Sequence, residues 1–190
     1  MSDLTRSEYD ALRATISKRG SLRVGIVLGG LAAWGALAVT GAATALAGPT
    51  SLISLLVLAA TFEAAHALHA GVERIGRFLQ VFYEEQPSAH GPSGAPFWET
   101  AAMAYGRTYP GSGPDPLFVT LFVLAALLNL AMLFSFGPRR PLIALAAIAA
   151  HIVFLWRMLT ARRNLAGQRA MDLERFRKIR QENRSAAAEE

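Results

Sequence analysis

Four uninterrupted apolar stretches, Val24–Ala47, Thr50–Ala70, Leu117–Phe136 and Leu142–Leu159, organise the chain, and each is 18 to 24 residues long. A helix needs ~20 residues to cross a ~30 Å hydrocarbon core, so the pattern predicts four transmembrane helices packed as an all-α bundle. The first stretch follows basic residues and ends in Ala45-Leu46-Ala47, as a secretory signal would. Its apolar run exceeds the roughly 7–15 residues of a signal core, and cleavage would leave the second stretch at the new N-terminus, so it reads as a retained helix. Gly48-Pro49 and Gly137–Pro141 read as tight hairpin turns between antiparallel neighbours.

Helical periodicity continues outside the spans. In residues 1–23, Leu4, Tyr9, Leu12 and Ile16 fall on one side of an amphipathic helix. No helix breaker intervenes between Ser51 and Pro87, and the fourth helix can run from Leu142 to about Arg184. At 1.5 Å per residue, helices 2 and 4 are each expected to extend on the order of 20 Å beyond the bilayer. The segment 71–116 also holds a short helix over 97–107, started by Pro96, with Phe97, Trp98, Ala101 and Tyr105 on one face. It is expected to lie at the inner membrane interface or against the extended helices. The expected organisation is an amphipathic N-terminal helix (1–23), a membrane domain (24–159) including the 71–116 segment, and a basic C-terminal helix and tail (160–190).

Composition agrees with this division: 53% of residues are hydrophobic and only 17% charged, too apolar a balance for an ordinary soluble chain. The absence of cysteine excludes disulfides, thiolate metal sites, cysteine nucleophiles and S-palmitoylation. The net charge of +5 flanks the apolar blocks rather than forming a nucleic-acid surface. Seventeen Lys/Arg lie in the termini and the 71–116 segment, against Arg139 and Arg140 in the last turn. The positive-inside bias therefore predicts an inner-membrane protein with both termini cytoplasmic.

The informative chemistry lies on the second helix. Glu63, His66, His69, Glu73, Arg74, Arg77, Gln80 and Glu84 share an arc of about 140°, opposite Leu68, Val72, Ile75, Leu79 and Phe82. Glu63 lies roughly 20 Å below the external surface, inside hydrocarbon, where a carboxylate must pair, find water or stay protonated. His66, one turn on, is one expected partner. His151 of the fourth span is another, being closer to Glu63 in depth than to His66. Glu73 and the residues beyond it are expected to form a solvated charged face. Asn129 of the third span, with Thr40 and Thr44 of the first, offers an outward continuation of a polar path or, more simply, glue between helices.

Metal and haem chemistry has weaker support. Glu63-x-x-His66 is half of a di-iron signature, but Ile148 and Pro87 stand where a second glutamate would precede His151 or His90. A bis-histidine haem would require His66 or His69 opposite His151, a depth mismatch of about six residues between helices running the same way. No zinc-protease, P-loop, nucleophile-elbow or dinucleotide motif occurs. His90, in a Ser/Gly/Pro stretch, reads as an exposed loop residue. Gly25, Gly29 and Ala33 form a small-residue face suited to close helix packing, within the chain or between copies in a homo-oligomer. The C-terminal helix carries nine Lys/Arg between Arg157 and Glu190, which suits attraction to anionic inner-leaflet lipid.

These features predict a non-enzymatic integral membrane protein without a cofactor. Its leading expected role is proton- or ion-linked transport or sensing through the Glu/His cluster. Alternatives are a membrane-anchored scaffold that recruits a partner through its cytoplasmic helices, and a haem- or metal-binding redox protein.

Overall fold

The computed structural model describes residues 3–44, 47–85, 98–108, 115, 117–136 and 141–189. Among these there is no strand. The helices are α1 (Asp3–Ala43), α2 (Ala47–Leu79), α3 (Trp98–Thr108), α4 (Val119–Phe136) and α5 (Pro141–Glu189), with a π turn over Gln80–Glu84 continuing α2. His90, Phe97, residues 45–46 and residues 137–140 of the second expected turn lie outside the described residues; Gly48-Pro49, expected as the first turn, fall instead in the first turn of α2.

α1 is one continuous helix of 41 residues, running from the N-terminal amphipathic segment into the first apolar stretch. α5 is likewise unbroken over 49 residues. α2 starts at Ala47 rather than Thr50, with Pro49 in its first turn, where its missing N–H costs no helical hydrogen bond. α4 begins at Val119 because Asp115 organises a turn before it. The Asp115 carboxylate accepts hydrogen bonds from the backbone N–H of Leu117 (3.0 Å) and Val119 (3.2 Å). Phe118 between them adopts the left-handed conformation, φ 54°.

α1, α2 and α5 each contain an apolar stretch long enough to cross a membrane, which supports a membrane protein; the apolar helix of α4, Val119–Ser135, is shorter. Large apolar residues on these helices face outward, among them Leu28, Leu56, Leu128 and Ile152. A soluble chain avoids such surface, and lipid accepts it.

The chain divides into two compact units. The apolar unit comprises residues 21–68 and 115–163. Its core surrounds Phe62, which meets the rings of Phe122 and Phe154 edge-on, with Leu58, Met158 and Ala147 also buried. α1 approaches α2 at Gly30, where an added Cβ would collide with the Thr61 hydroxyl and methyl and stand 2.7 Å from its Cβ.

The polar unit comprises residues 1–20, 69–114 and 164–190. Its aromatic core joins Phe78, Phe82 and Tyr83 of α2 and its π turn to Phe176 of α5, and Tyr83 to Tyr9 of α1. The π turn closes with an i→i+5 bond, Glu85 N–H to Gln80 C=O at 2.9 Å. Its extra residue re-aims the side chains that follow, and Glu84 thereby reaches the start of α3. There its carboxylate accepts from the Thr100 N–H (2.8 Å) and hydroxyl (2.9 Å) and from the Glu99 N–H (3.2 Å). A carboxylate from another helix thus caps α3 and satisfies donors that a helix cannot satisfy itself.

Candidate functional site

Glu63 leaves α2 on the outside of the apolar unit, and its carboxylate accepts a 2.8 Å hydrogen bond from the Arg157 guanidinium of α5. Neither side chain is buried: they are 46% and 37% exposed. The pair closes one end of a groove between α2 and α5, of about 400 Å³, walled by Leu52, Leu56, Ala59, Ala150, Val153 and Phe154. The expected partners of Glu63 differ from this. His66 is half-buried and stacks on Phe62, with ring centroids 6.2 Å apart. His151 is turned elsewhere, so the expected Glu63–His151 contact is not formed.

Asn129, Ser51 and His151 meet inside the apolar unit and join α4, α2 and α5. The Asn129 amide donates to the Ser51 carbonyl (2.9 Å) and hydroxyl (3.2 Å), and its nitrogen lies 3.2 Å from His151 Nε2. His151 Nδ1 lies 2.7 Å from the Ala147 carbonyl. A carbonyl only accepts, so Nδ1 carries the proton and Nε2 accepts from Asn129, which fixes the neutral tautomer. Both imidazole nitrogens are therefore used, and haem ligation by His151 would require breaking one of these bonds. Beside this cluster lies a cavity with room for about one water molecule, lined by Thr50, Ser51, Ser54 and Asn129. The Thr40 and Thr44 hydroxyls donate to the α1 carbonyls of Ala36 and Thr40, at 2.8 and 2.9 Å, instead of extending a polar path.

The lower part of the α2 stripe belongs to the polar unit, and much of it is buried rather than solvated as its sequence position suggests. His69, Arg77, Gln80 and Glu84 are buried. Arg77, 4% exposed, donates to Glu73, which also forms an ion pair with Arg169 of α5 at 2.9 Å. Glu99 of α3 pairs with Arg13 of α1 at 2.9 Å. Burial pushes the Glu99 carboxyl above the usual carboxylate range; Arg13 opposes that rise and Glu84 adds to it. Glu85 binds Arg177 (2.6 Å) and Arg180 (3.4 Å), and Arg180 also donates to the Val81 carbonyl within the π turn. Beside its aromatic core, this unit is held by ion pairs and charge-assisted bonds, most of them between helices.

No known family, curated protein or solved structure matches this chain.

Among the described residues no three His, Asp or Glu side chains come together as a metal-binding group. The di-metal alternative's ligands divide between the two units: Glu63 and His66 fall in one, His69, Glu73 and Glu99 in the other. The small-residue face also departs from its simpler expectation. A Cβ at Gly25 or Gly29 would meet nothing within 4 Å, and Ala33 is exposed, whereas Gly30 makes the close approach.

Arg157 and Ser51 are the site residues that sequence reasoning missed. Arg157 sits at the end of the fourth apolar stretch and counts there as a flanking charge. Counting depth gives the signal for it: Glu63 is 13 residues after Thr50, and the same distance from Pro141 reaches residue 154, one turn before Arg157.

Proposed function

We propose that the chain is a four-span, non-enzymatic protein of the cytoplasmic membrane in which the Glu63–Arg157 pair serves proton- or ion-linked sensing or transport. The pair itself carries this reading. A carboxylate and a guanidinium meet across two apolar helices at the edge of a groove, where hydrocarbon makes an unpaired charge expensive. Protonating Glu63 would release Arg157, so the pair converts a proton into a change of contact between α2 and α5.

α4 joins the three longer helices as the fourth span. It buries Phe122, Ala126 and Asn129 in the same unit and turns Leu121, Leu124 and Leu128 outward. The Lys/Arg distribution favours a cytoplasmic position for both termini and the 71–116 segment. The exposed Trp98 and Tyr105 of α3 suit an interfacial helix, because such rings favour the headgroup layer.

The test is pH-gradient dissipation in proteoliposomes, with and without Glu63→Gln. Flux that Glu63→Gln abolishes supports the reading. Absence of flux, together with a cellular phenotype that Glu63→Gln leaves unchanged, removes it.

A scaffold role is the second reading, favoured by the exposed charges of the last turns of α5, including Arg175, Lys178 and Glu182. This surface suits a protein partner or anionic lipid headgroups. Arg175→Ser with Lys178→Ser would then lose the partner in a pull-down, or loosen binding to anionic vesicles, while leaving flux intact.

A further inference from the structure

The groove between α2 and α5 has the dimensions and polarity of a site for one lipid chain. Its floor is Leu55 and Phe154, each 5% exposed, and its rims include Leu56 and Val153, 68% and 61% exposed. From Leu52 to Glu63 it follows α2 for about 16 Å, close to half the ~30 Å thickness of a hydrocarbon core. Charge occurs at one end only, at Glu63 and Arg157. Arg157 lies about 24 Å along α5 from Pro141 and Glu63 about 20 Å along α2 from Thr50, so the charged end lies about 6–10 Å inside the inner edge of a ~30 Å core, and a headgroup that reaches it is drawn deeper than its neighbours. A molecule that fits is apolar for one leaflet's depth and polar at the cytoplasmic end.

The charged end also restricts the headgroup. Glu63 and Arg157 stand side by side with opposite charges, so their sum is zero. A purely anionic headgroup would gain Arg157 and be repelled by Glu63. A zwitterionic headgroup matches both, with its phosphate on the guanidinium and its ammonium on the carboxylate. Glu63 uses one of the five N–H donors of Arg157, and the rest of the fork suits phosphate oxygens. A primary ammonium can donate hydrogen bonds to the carboxylate, whereas a quaternary ammonium has no N–H.

We propose that this groove holds one acyl chain of an inner-leaflet zwitterionic phospholipid with a primary ammonium, its headgroup bridging Arg157 and Glu63. The proposal rests on the reading of Glu63 and Arg157 as an intramembrane pair. It adds that the pair is occupied, so that a proton arriving at Glu63 competes with a lipid ammonium.

The experiment is native mass spectrometry of the full chain in mild detergent. It is titrated with phosphatidylethanolamine, phosphatidylcholine or phosphatidylglycerol of identical acyl chains. The expected result is one retained phosphatidylethanolamine, favoured about tenfold over the other two, the size of one charge-assisted hydrogen bond. Ala59→Phe, which fills the groove and leaves both charges in place, should abolish retention. Glu63→Gln, which leaves the guanidinium unopposed, should shift the preference to phosphatidylglycerol. Equal retention of the three lipids, or retention unaffected by Ala59→Phe, overturns the proposal. Lipid retention unaffected by Ala59→Phe, with pH-linked flux lost in Glu63→Gln, would overturn the lipid site and leave the proposed function standing. Retention lost in Ala59→Phe, with no flux in any variant, would support the site and remove that function.

Discussion

Gly30 shows how much a single atom decides in the apolar unit. An added Cβ there would fall within 2.7 Å of three Thr61 side-chain atoms, one of them the Thr61 Cβ itself. Thr61 is β-branched, and its hydroxyl already donates to the Val57 carbonyl at 2.7 Å, so it cannot swing aside without giving up that bond. Relief must come from separating α1 and α2. Gly30→Ala is therefore expected to destabilise the protein by about 1–3 kcal/mol. Gly25→Ala and Gly29→Ala, which meet open space, should instead gain about 0.5–1 kcal/mol each through helix propensity. Thermal unfolding of the three variants in one detergent separates these outcomes. The sequence shows why Gly30 escapes notice. A small-residue spacing identifies a helix face suited to close approach, but four glycines within eleven residues, Gly25, Gly29, Gly30 and Gly35, present more than one such face. Only the partner helix decides which face is used.

At the scale of elements, apolar length and missing breakers made the long helices legible, and the ends of helices were harder to read. α4 starts two residues into its apolar stretch because Asp115, a polar residue before that stretch, takes the N–H groups of Leu117 and Val119. Asp115→Ala should lose both bonds and leave the positive φ of Phe118 unsupported. A loss of about 1 kcal/mol is expected, the size of a removed helix cap, measurable by chemical unfolding. The π turn was invisible for a related reason. Its sequence, Gln80–Glu84, is an ordinary amphipathic continuation, and its extra residue is repaid by contacts with α3 and Arg180 that no local pattern encodes. The docking of α3 carries its own pH dependence. Burial raises the carboxyl of Glu99, so folding favours its protonated form. That contribution is complete below the usual carboxylate range and is lost as pH rises through the raised value. Glu99→Gln, neutral at every pH, should remove this loss. Its stability relative to the parent should grow as pH rises from 4 to about 7, despite the lost Arg13 pair, since Arg13 is partly solvated. A difference that stays flat or reverses across that range would show that the Arg13 pair outweighs the burial of Glu99.

At the scale of the whole molecule, one polar stripe does two jobs, and the sequence shows the stripe but not the division. The periodicity that put Glu63, Glu73, Arg77 and Glu84 on one arc is real, yet neighbours decide what each residue meets. In the polar unit, helices from both ends of the chain cover the arc, and the residues expected to be solvated become the interior. In the apolar unit the same arc opens sideways, and the carboxylate expected to be enclosed is the exposed one. Two isosteric changes on one helix should therefore behave differently. Glu73→Gln removes the carboxylate charge that Arg77 and Arg169 share and leaves the 4%-exposed Arg77 as a buried, under-compensated charge. Breaking such a pair costs roughly 3 kcal/mol, so its unfolding midpoint should fall sharply. Glu63→Gln leaves Arg157, 37% exposed and within about 6 Å of the inner edge of the core, able to reach headgroups or solvent with its long side chain, and the stability change in detergent should stay within about 1 kcal/mol. If Glu63 serves function and Glu73 serves folding, Glu63→Gln should keep the midpoint and lose the pH-linked activity. Glu73→Gln should lose the midpoint and keep the activity of whatever protein remains folded. Equal losses of stability in the two variants would mean that the whole stripe is structural glue and that Glu63 has no separate role.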